Sequence, residues 1–504
     1  MRFDRCSGIL LHPTSLPGAY GIGDLGSTAY HFVDWLLVAG QKIWQMLPVS
    51  PVGVGNSPYM SLSAFAGSPL LVDLNELAAR GWLNKTELER GPFFPSDRVD
   101  YATVAPFRLE KLQKAAVGFC SRATSRDRTE FESFCLANAP WLEEYATFMA
   151  FHDSYSGKVW NRWDAEAAKR EAGSMERRKD ELKDSIHAHK FIQWSFVRQW
   201  NNLKRYANER QVRLVGDIPI FVAHNSADVW SQPEAFYLDS ELRPTVVAGV
   251  PPDYFSKTGQ RWGNPLYRWD VMKKDGYQWW VERFRAMFQL FDIVRIDHFR
   301  GFVSYWEIPV SEKTAERGRW VEGPKDDLFK AVQKSLGRLP IIAEDLGFIV
   351  PEVTALRDQF QFPGMKILQF AFGSGIDNPF LPHRYVPNCV VYTGTHDNDT
   401  TCGWFQKAND TEKSFLKRYA RLDGQDIHWN LMRLGSQSVA DLAIFPFQDV
   451  LGIGSEGRMN YPGKPKGNWE WRFTWDQVKP EHAQHLFEIT ALYERCSPTR
   501  LHSS

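Results

Sequence analysis

Residues 278–298, QWWVERFRAMFQLFDIVRIDH, decide the fold. The first part carries Trp280, Phe284, Met287 and Phe291 at spacings of three and four, the pattern of a helix with one apolar face. Residues 291–298 then form a short β-type run that closes on charged side chains. Seven further runs of this kind occur at 8–14, 42–48, 213–221, 340–345, 365–372, 389–395 and 442–447. Helix-like stretches lie between several of them, among them 28–39, 191–210 and 325–336. Strands alternating with helices predict a parallel sheet, and eight such units predict an α/β chain closed as a (β/α)8 TIM barrel.

Residues 69–188 break that rhythm with charged, Ala-rich helical patterns, as at 107–116 and 165–186. They read as a mainly helical subdomain inserted between the second and third strands. Residues 1–68 then hold the first two strands, and 189–504 the remainder of the barrel. A smaller insertion at about 226–269 is rich in turn residues and aromatics. Long loops leaving the carboxyl ends of barrel strands carry substrate contacts, so this insertion is the expected wall of a substrate groove.

Composition narrows the partner. The 504 residues hold 60 Lys plus Arg against 60 Asp plus Glu, so the chain lacks the positive field that nucleic acid or an anionic membrane would require. No window approaches the ~18 consecutive apolar residues of a membrane span. Residues 1–13 offer only the apolar run Ile9-Leu10-Leu11, too brief for a signal peptide. Six cysteines with no Cys-x-x-Cys pair predict a reducing, cytoplasmic setting. The histidines lack ligand spacing, and no metal is expected. Gly21-Ile22-Gly23-Asp24-Leu25-Gly26 spells a dinucleotide fingerprint but does not directly follow its strand and has no acid ~20 residues on, so no cofactor is expected either. The 20 tryptophans and 17 tyrosines instead offer flat apolar faces with polar edges, the surface that suits a sugar ring.

Four runs end near a carboxylate: Asp217, Asp297, Glu344 and Asp397. Side chains alternate across a strand, so Arg295 shares a face with Asp297, Ile342 with Glu344 and Thr395 with Asp397. Acids gathered at a barrel mouth repel one another and lose hydration unless a cation compensates, and Arg295 is the available cation. Any one of them could instead serve structure: Asp297 could merely pair with Arg295, Glu344 or Asp345 could cap the following helix, and Asp397 or Asp399 could stabilise a loop. Together they form the equipment of glycoside cleavage, one carboxylate to attack the anomeric carbon and a second carboxyl to protonate the departing oxygen.

The blocks Val294-Arg295-Ile296-Asp297-His298-Phe299-Arg300-Gly301, Ile342-Ala343-Glu344-Asp345-Leu346-Gly347 and Tyr392-Thr393-Gly394-Thr395-His396-Asp397-Asn398-Asp399 resemble the catalytic blocks of the amylomaltases. These are 4-alpha-glucanotransferases, or disproportionating enzymes, of the alpha-amylase clan. The resemblance extends to His12-Pro13-Thr14-Ser15-Leu16-Pro17-Gly18, Asn56-Ser57-Pro58-Tyr59, residues 249–267, Met459-Asn460-Tyr461-Pro462-Gly463 and Gly467-Asn468-Trp469. It implies Asp297 as nucleophile, Glu344 as general acid/base and Asp397 as the carboxylate that grips sugar hydroxyls. Arg295 would steady the charge of Asp297, and His396 would bond substrate hydroxyls. Tyr59, Asp217, Asp253, Trp262 and Asn460 are the further substrate-binding positions. After Asp217 the chain departs from the α-amylase pattern by lacking the Asn-His pair, which disfavours an amylase.

The resemblance implies an enzyme that moves α-1,4-glucan segments between maltooligosaccharides, or between starch- and glycogen-derived glucans, without cofactor or metal. Its oligomeric state is left open by the sequence. An α-glucan hydrolase on the same fold and a non-catalytic glucan-binding protein are the alternatives. Transfer rather than hydrolysis requires an acceptor at roughly millimolar level to outcompete water at ~55 M, a positional preference of ~5–6 kcal/mol. Trp262 and Phe255, in the loop 249–267, are the expected stacking platform.

Overall fold

A computed structural model describes residues 2–252 and 256–496. Eight parallel strands, Cys6–Leu10, Ile43–Gln45, Arg213–Ile218, Ile293–Ile296, Ile341–Ala343, Gly364–Ile367, Cys389–Tyr392 and Leu442–Pro446, form one sheet. Neighbours in sequence are neighbours in space, and the eighth strand pairs with the first, Cys6 opposite Leu442 and Leu10 opposite Pro446. The seam between strands five and six lacks a regular ladder. It is bridged by Ala343 N–H to the Pro363 carbonyl (3.0 Å) and by Met365 N–H to Asp345 Oδ1 (2.7 Å). The result is the expected TIM barrel, nearly closed.

Strand alternation sorts the apolar residues into two cores. Val215, Ile293, Ile342, Met365, Ile367, Val390, Tyr392 and Ile444 fill the interior, while Leu214, Val294, Ile296, Ile341, Ala343 and Val391 pack outward against the helices. Arg295 stands between Val294 and Ile296, and Asp297 follows one residue past the strand, so both side chains point inward. On strand three the outward position is Gly216, where a Cβ would lie 2.2 Å from the Phe291 ring. That close approach lets the helix Gln278–Leu290 lie flat on the sheet.

All eight strands are shorter than the runs that announced them, two of them markedly. Ile43–Gln45 and Ile341–Ala343 have three residues each, because the polar residues after them leave the sheet to build the mouth. Between strands two and three the chain makes a succession of helices, the longest being Tyr101–Arg122, Ala139–Ser154 and Lys183–Glu209. Position 188, where the sequence reading ended the insertion, falls inside Lys183–Glu209. That helix packs its amino-terminal half on the insertion. Farther along it sends the Trp200 indole N–H to the Leu290 carbonyl (2.8 Å), beside the barrel.

The insertion at 226–269 contains more than turns. Its strands Val246–Val250 and Gln260–Pro265 join Ser304–Pro309 and Arg319–Glu322 in a four-stranded antiparallel sheet beside the mouth. The sequence reading missed this sheet because half of it comes from the loop after Asp297. All six cysteines are free thiols. Among the described residues no helix is long and apolar enough to cross a membrane.

Candidate active site

Arg295 is the hub of the mouth. Its neighbour across the sheet is Asp217, in register, so the two side chains share the barrel interior. Nη1 donates to Asp217 Oδ2 at 2.6 Å and Nη2 stands 3.0 Å from Asp297 Oδ1. Burial would strip the guanidinium of its charge. The two facing carboxylates outweigh that and hold its pKa well above the ordinary value.

Asp217 is buried, 1% exposed, and also accepts the Tyr59 hydroxyl at 2.8 Å. Burial, with the charge of Asp297 added, pushes its carboxyl up to about 7 against the opposing pull of Arg295. The sequence reading placed Asp217 among residues that touch substrate. Here its carboxylate meets Arg295 and Tyr59 beneath the groove, because it lies within the strand rather than past its end.

Glu344 follows strand five by one residue. Its Oε2 accepts the His298 N–H (2.7 Å) and its Oε1 the Leu346 N–H (2.8 Å). The two donors come from the loops after strands four and five, so backbone fixes the carboxyl at both oxygens. Desolvation, with the charge of Asp297 added, pushes it up to about 8 against the opposing pull of Arg295 and the two N–H groups. His298 adopts left-handed backbone, φ 52°, to present that N–H. Its ring meets the Trp262 ring edge-on at 4.9 Å. Burial, reinforced by the nearby Arg300, lowers the imidazole pKa to about 3.

Asp397 arrives by another route than strand alternation. Strand seven ends at Tyr392, and a turn closed by Thr395 N–H to Asn398 Oδ1 (2.9 Å) swings Asp397 into the open mouth. There Oδ1 accepts the Asn460 amide (2.6 Å) and lies 3.4 Å from His396 Nε2. Asn460 also donates its backbone N–H to the His396 carbonyl (3.1 Å). His396 stacks on Tyr59 at 5.1 Å, and Trp469 leans on both rings. Burial keeps the His396 pKa below the ordinary histidine value.

Asp297, Glu344, Asp217, Arg295, Tyr59, His396, Asp397 and Asn460 are thus linked by direct contacts or by the field of one on another, and Trp262 joins them through His298. Asp253 and Phe255 lie outside the described residues. Asp345 and Asp399 are structural: Asp345 holds Arg357 and the barrel seam, and Asp399 holds Lys407 and Ser455. Sequence reasoning passed over His298, Trp469 and the N–H of Leu346. His298 and Trp469 stand inside quoted motifs, whereas a backbone donor leaves no mark on a sequence. Among the described residues no cluster of His, Cys, Asp and Glu could hold a metal ion.

A (β/α)8 barrel with carboxylates gathered at the carboxyl end of its strands has the architecture of many enzymes, and the paired acids are those of glycoside chemistry. A family model described as 4-alpha-glucanotransferase matches residues 11–477, and the chain belongs to that family. The 4-alpha-glucanotransferase of Thermus thermophilus is 51% identical over 503 residues, covering 98% of this chain and 100% of that one. The chloroplastic/amyloplastic 4-alpha-glucanotransferase of Solanum tuberosum is 44% identical over 502 residues, covering 97% of this chain and 86% of that one. Among solved structures, amylomaltase from Streptococcus agalactiae in complex with acarbose matches with a TM-score of 0.95 at 37% identity, over 98% of this chain and 100% of that one. The chain is therefore a transferase of the amylomaltase kind.

Proposed function

We propose that this enzyme transfers α-1,4-glucan segments from a donor maltodextrin to another glucan or to glucose, by a retaining double displacement through a glycosyl ester on Asp297. The carrying observation is the unequal treatment of two neighbouring carboxyl groups. Asp297 lies 3.0 Å from the buried guanidinium of Arg295, while desolvation and the nearby Asp297 push the Glu344 carboxyl up to about 8. A nucleophile and an acid are what the first step needs.

In that step an Asp297 oxygen attacks the anomeric carbon, the glycosidic C–O bond breaks, and Glu344 gives its proton to the departing oxygen. In the second, the Glu344 carboxylate takes the proton of an acceptor hydroxyl. The hydroxyl oxygen attacks the same carbon and Asp297 leaves as carboxylate. Asp397, oriented by Asn460 and His396, grips hydroxyls of the sugar being transferred. Tyr59 and Asp217 hold Arg295 in place. Trp262 walls the groove beside His298. The relative solved with acarbose supports an α-glucan as substrate. A cytoplasmic site of action accords with six free thiols.

Incubation with maltotriose alone tests the reading. Transfer yields glucose and a ladder of longer oligomers with a constant number of reducing ends, and Asp297→Asn abolishes both products. Reducing ends that rise in step with glucose would make the enzyme a hydrolase, and an active Asp297→Asn variant would remove the nucleophile.

A further inference from the structure

Beyond the catalytic groups, the mouth carries two aromatic rings that the fold leaves in solvent. Phe348 is 72% exposed and Trp320 is 38% exposed. Single exposed apolar residues are ordinary, but these two are held together by one buried cation. The Arg300 guanidinium lies 3.7 Å over the Trp320 ring and 5.9 Å from the Phe348 ring. It also donates to the Phe348 carbonyl at 2.6 Å. Trp306 braces Trp320 edge-on at 5.1 Å from the neighbouring strand. Trp320 is therefore held between Arg300 and Trp306, and the backbone of Phe348 is tied to Arg300, while both rings expose apolar surface, an arrangement with no use in packing.

Their position relates them to the reaction. Arg300 follows Asp297 by three residues, and Phe348 follows Glu344 by four, at most about 14 Å of chain. Glu344 must reach the oxygen between the two sugars being parted, so the loop it begins borders the leaving-group side of the bond. The same side receives the acceptor in the second step. A glucan that extends from the catalytic centre in this direction passes the loop that carries Phe348.

Resting on the transfer reading above, we propose that Phe348 and Trp320 form a stacking platform for an outer glucose unit of an oligosaccharide acceptor, one or more units beyond the sugar that is joined. The ligand class is an α-1,4-glucan of two or more units. Glucose itself is too short to touch the platform while its hydroxyl faces Glu344.

The test uses the full chain with α-maltosyl fluoride as donor, whose leaving group fills no sugar position on the acceptor side. Labelled glucose and labelled maltotetraose are compared as acceptors, and the readout is the ratio of their kcat/KM values. Phe348→Ala and Trp320→Ala each lower the maltotetraose-to-glucose ratio by about tenfold, the scale of one aromatic contact, and Phe348→Tyr retains it. Because the ratio is taken within one preparation, a loss of folded protein cancels. A ratio within twofold of wild type in both alanine variants and in the double variant overturns the platform. Wild-type enzyme that gives only hydrolysis with both acceptors overturns the transfer reading and the platform with it, a pattern distinct from transfer with an unchanged ratio.

Discussion

Replacing Glu344 by Gln separates what the acid does for catalysis from what it costs the fold. In the wild type the carboxyl is lifted from 4.5 to about 8. At ~1.4 kcal/mol per tenfold change in ionisation, this amounts to ~5 kcal/mol for a dry site. Glu344 is half-buried and groove water screens it, so about half survives, ~2–3 kcal/mol. A group whose folded pKa is raised contributes its stability in full below the unfolded value. The contribution is lost as pH rises through the folded value, here between about 4.5 and about 8. Gln does not titrate, so the melting temperature of Glu344→Gln minus that of the wild type climbs over this interval and levels off above it. With an unfolding entropy of ~2 cal/mol/K per residue over 504 residues, 1 kcal/mol corresponds to ~1 °C, and the climb is ~2–3 °C. The Gln amide also places an N–H2 against one of the two N–H donors. That penalty is independent of pH and cancels in the slope, as does the titration of Asp217, common to both proteins. Calorimetry at one scan rate from pH 5 to pH 9 supplies the measurement. Wild-type kcat/KM should fall tenfold per pH unit above about 8, while the variant keeps a residual rate ~10²–10⁴ lower without that limb. A melting difference flat from pH 5 to pH 9 would refute the argument that Glu344 is held protonated at the expense of the fold.

Arg295→Lys removes the planar fork that meets Asp217 and Asp297 at once, and one ammonium cannot serve both. Breaking a buried pair costs ~3–5 kcal/mol, so activity falls at least ~10²-fold and denaturant midpoints drop; near-wild-type values in both measurements would contradict the hub role of this residue. Trp262→Ala removes the ring that closes on His298 at 4.9 Å and opens the groove to water. The fraction of cleavage events ending in hydrolysis should rise about tenfold by reducing-end assay on maltotriose, and an unchanged fraction would take the water-excluding role away from this ring.

The fold was legible because parallel strands buried on both faces read as short apolar runs, and residues 291–298 or 389–395 have no other plausible reading. The four-stranded sheet escaped because Gln260–Pro265 contains Gly and Pro, and because two of the sheet's strands, Ser304–Pro309 and Arg319–Glu322, lie on the far side of the catalytic block in sequence. Of the site, Arg295, Asp297 and Glu344 followed from alternation, since each falls on or one residue past a strand. Alternation was applied to Asp397 as well, but the strand ends at Tyr392 and a turn delivers that side chain, so only its motif placed it correctly. The contacts that tune the site were illegible. Tyr59 reaches Asp217 across 158 residues, and both donors to Glu344 are backbone groups whose direction depends on how two loops close.

In the double displacement proposed above, those two donors would let one carboxyl serve both halves of the reaction. A raised pKa alone would make Glu344 a willing acid's opposite, a group reluctant to release its proton to the departing oxygen. The N–H groups of His298 and Leu346 oppose that reluctance, because each bonds the carboxylate more strongly than the neutral acid. When the proton leaves, the new charge settles into bonds already made, with no reorganisation required. In the proposed mechanism, formation of the glycosyl ester would remove the negative charge of Asp297 at the same stage, and with it the repulsion that helps to raise Glu344. The carboxyl that began the cycle as an acid is then favoured as a carboxylate, the form that must accept the proton of the incoming hydroxyl. Release of Asp297 restores its charge and pushes the proton back onto Glu344. The alternation between acid and base therefore follows from the covalent state of the neighbouring aspartate.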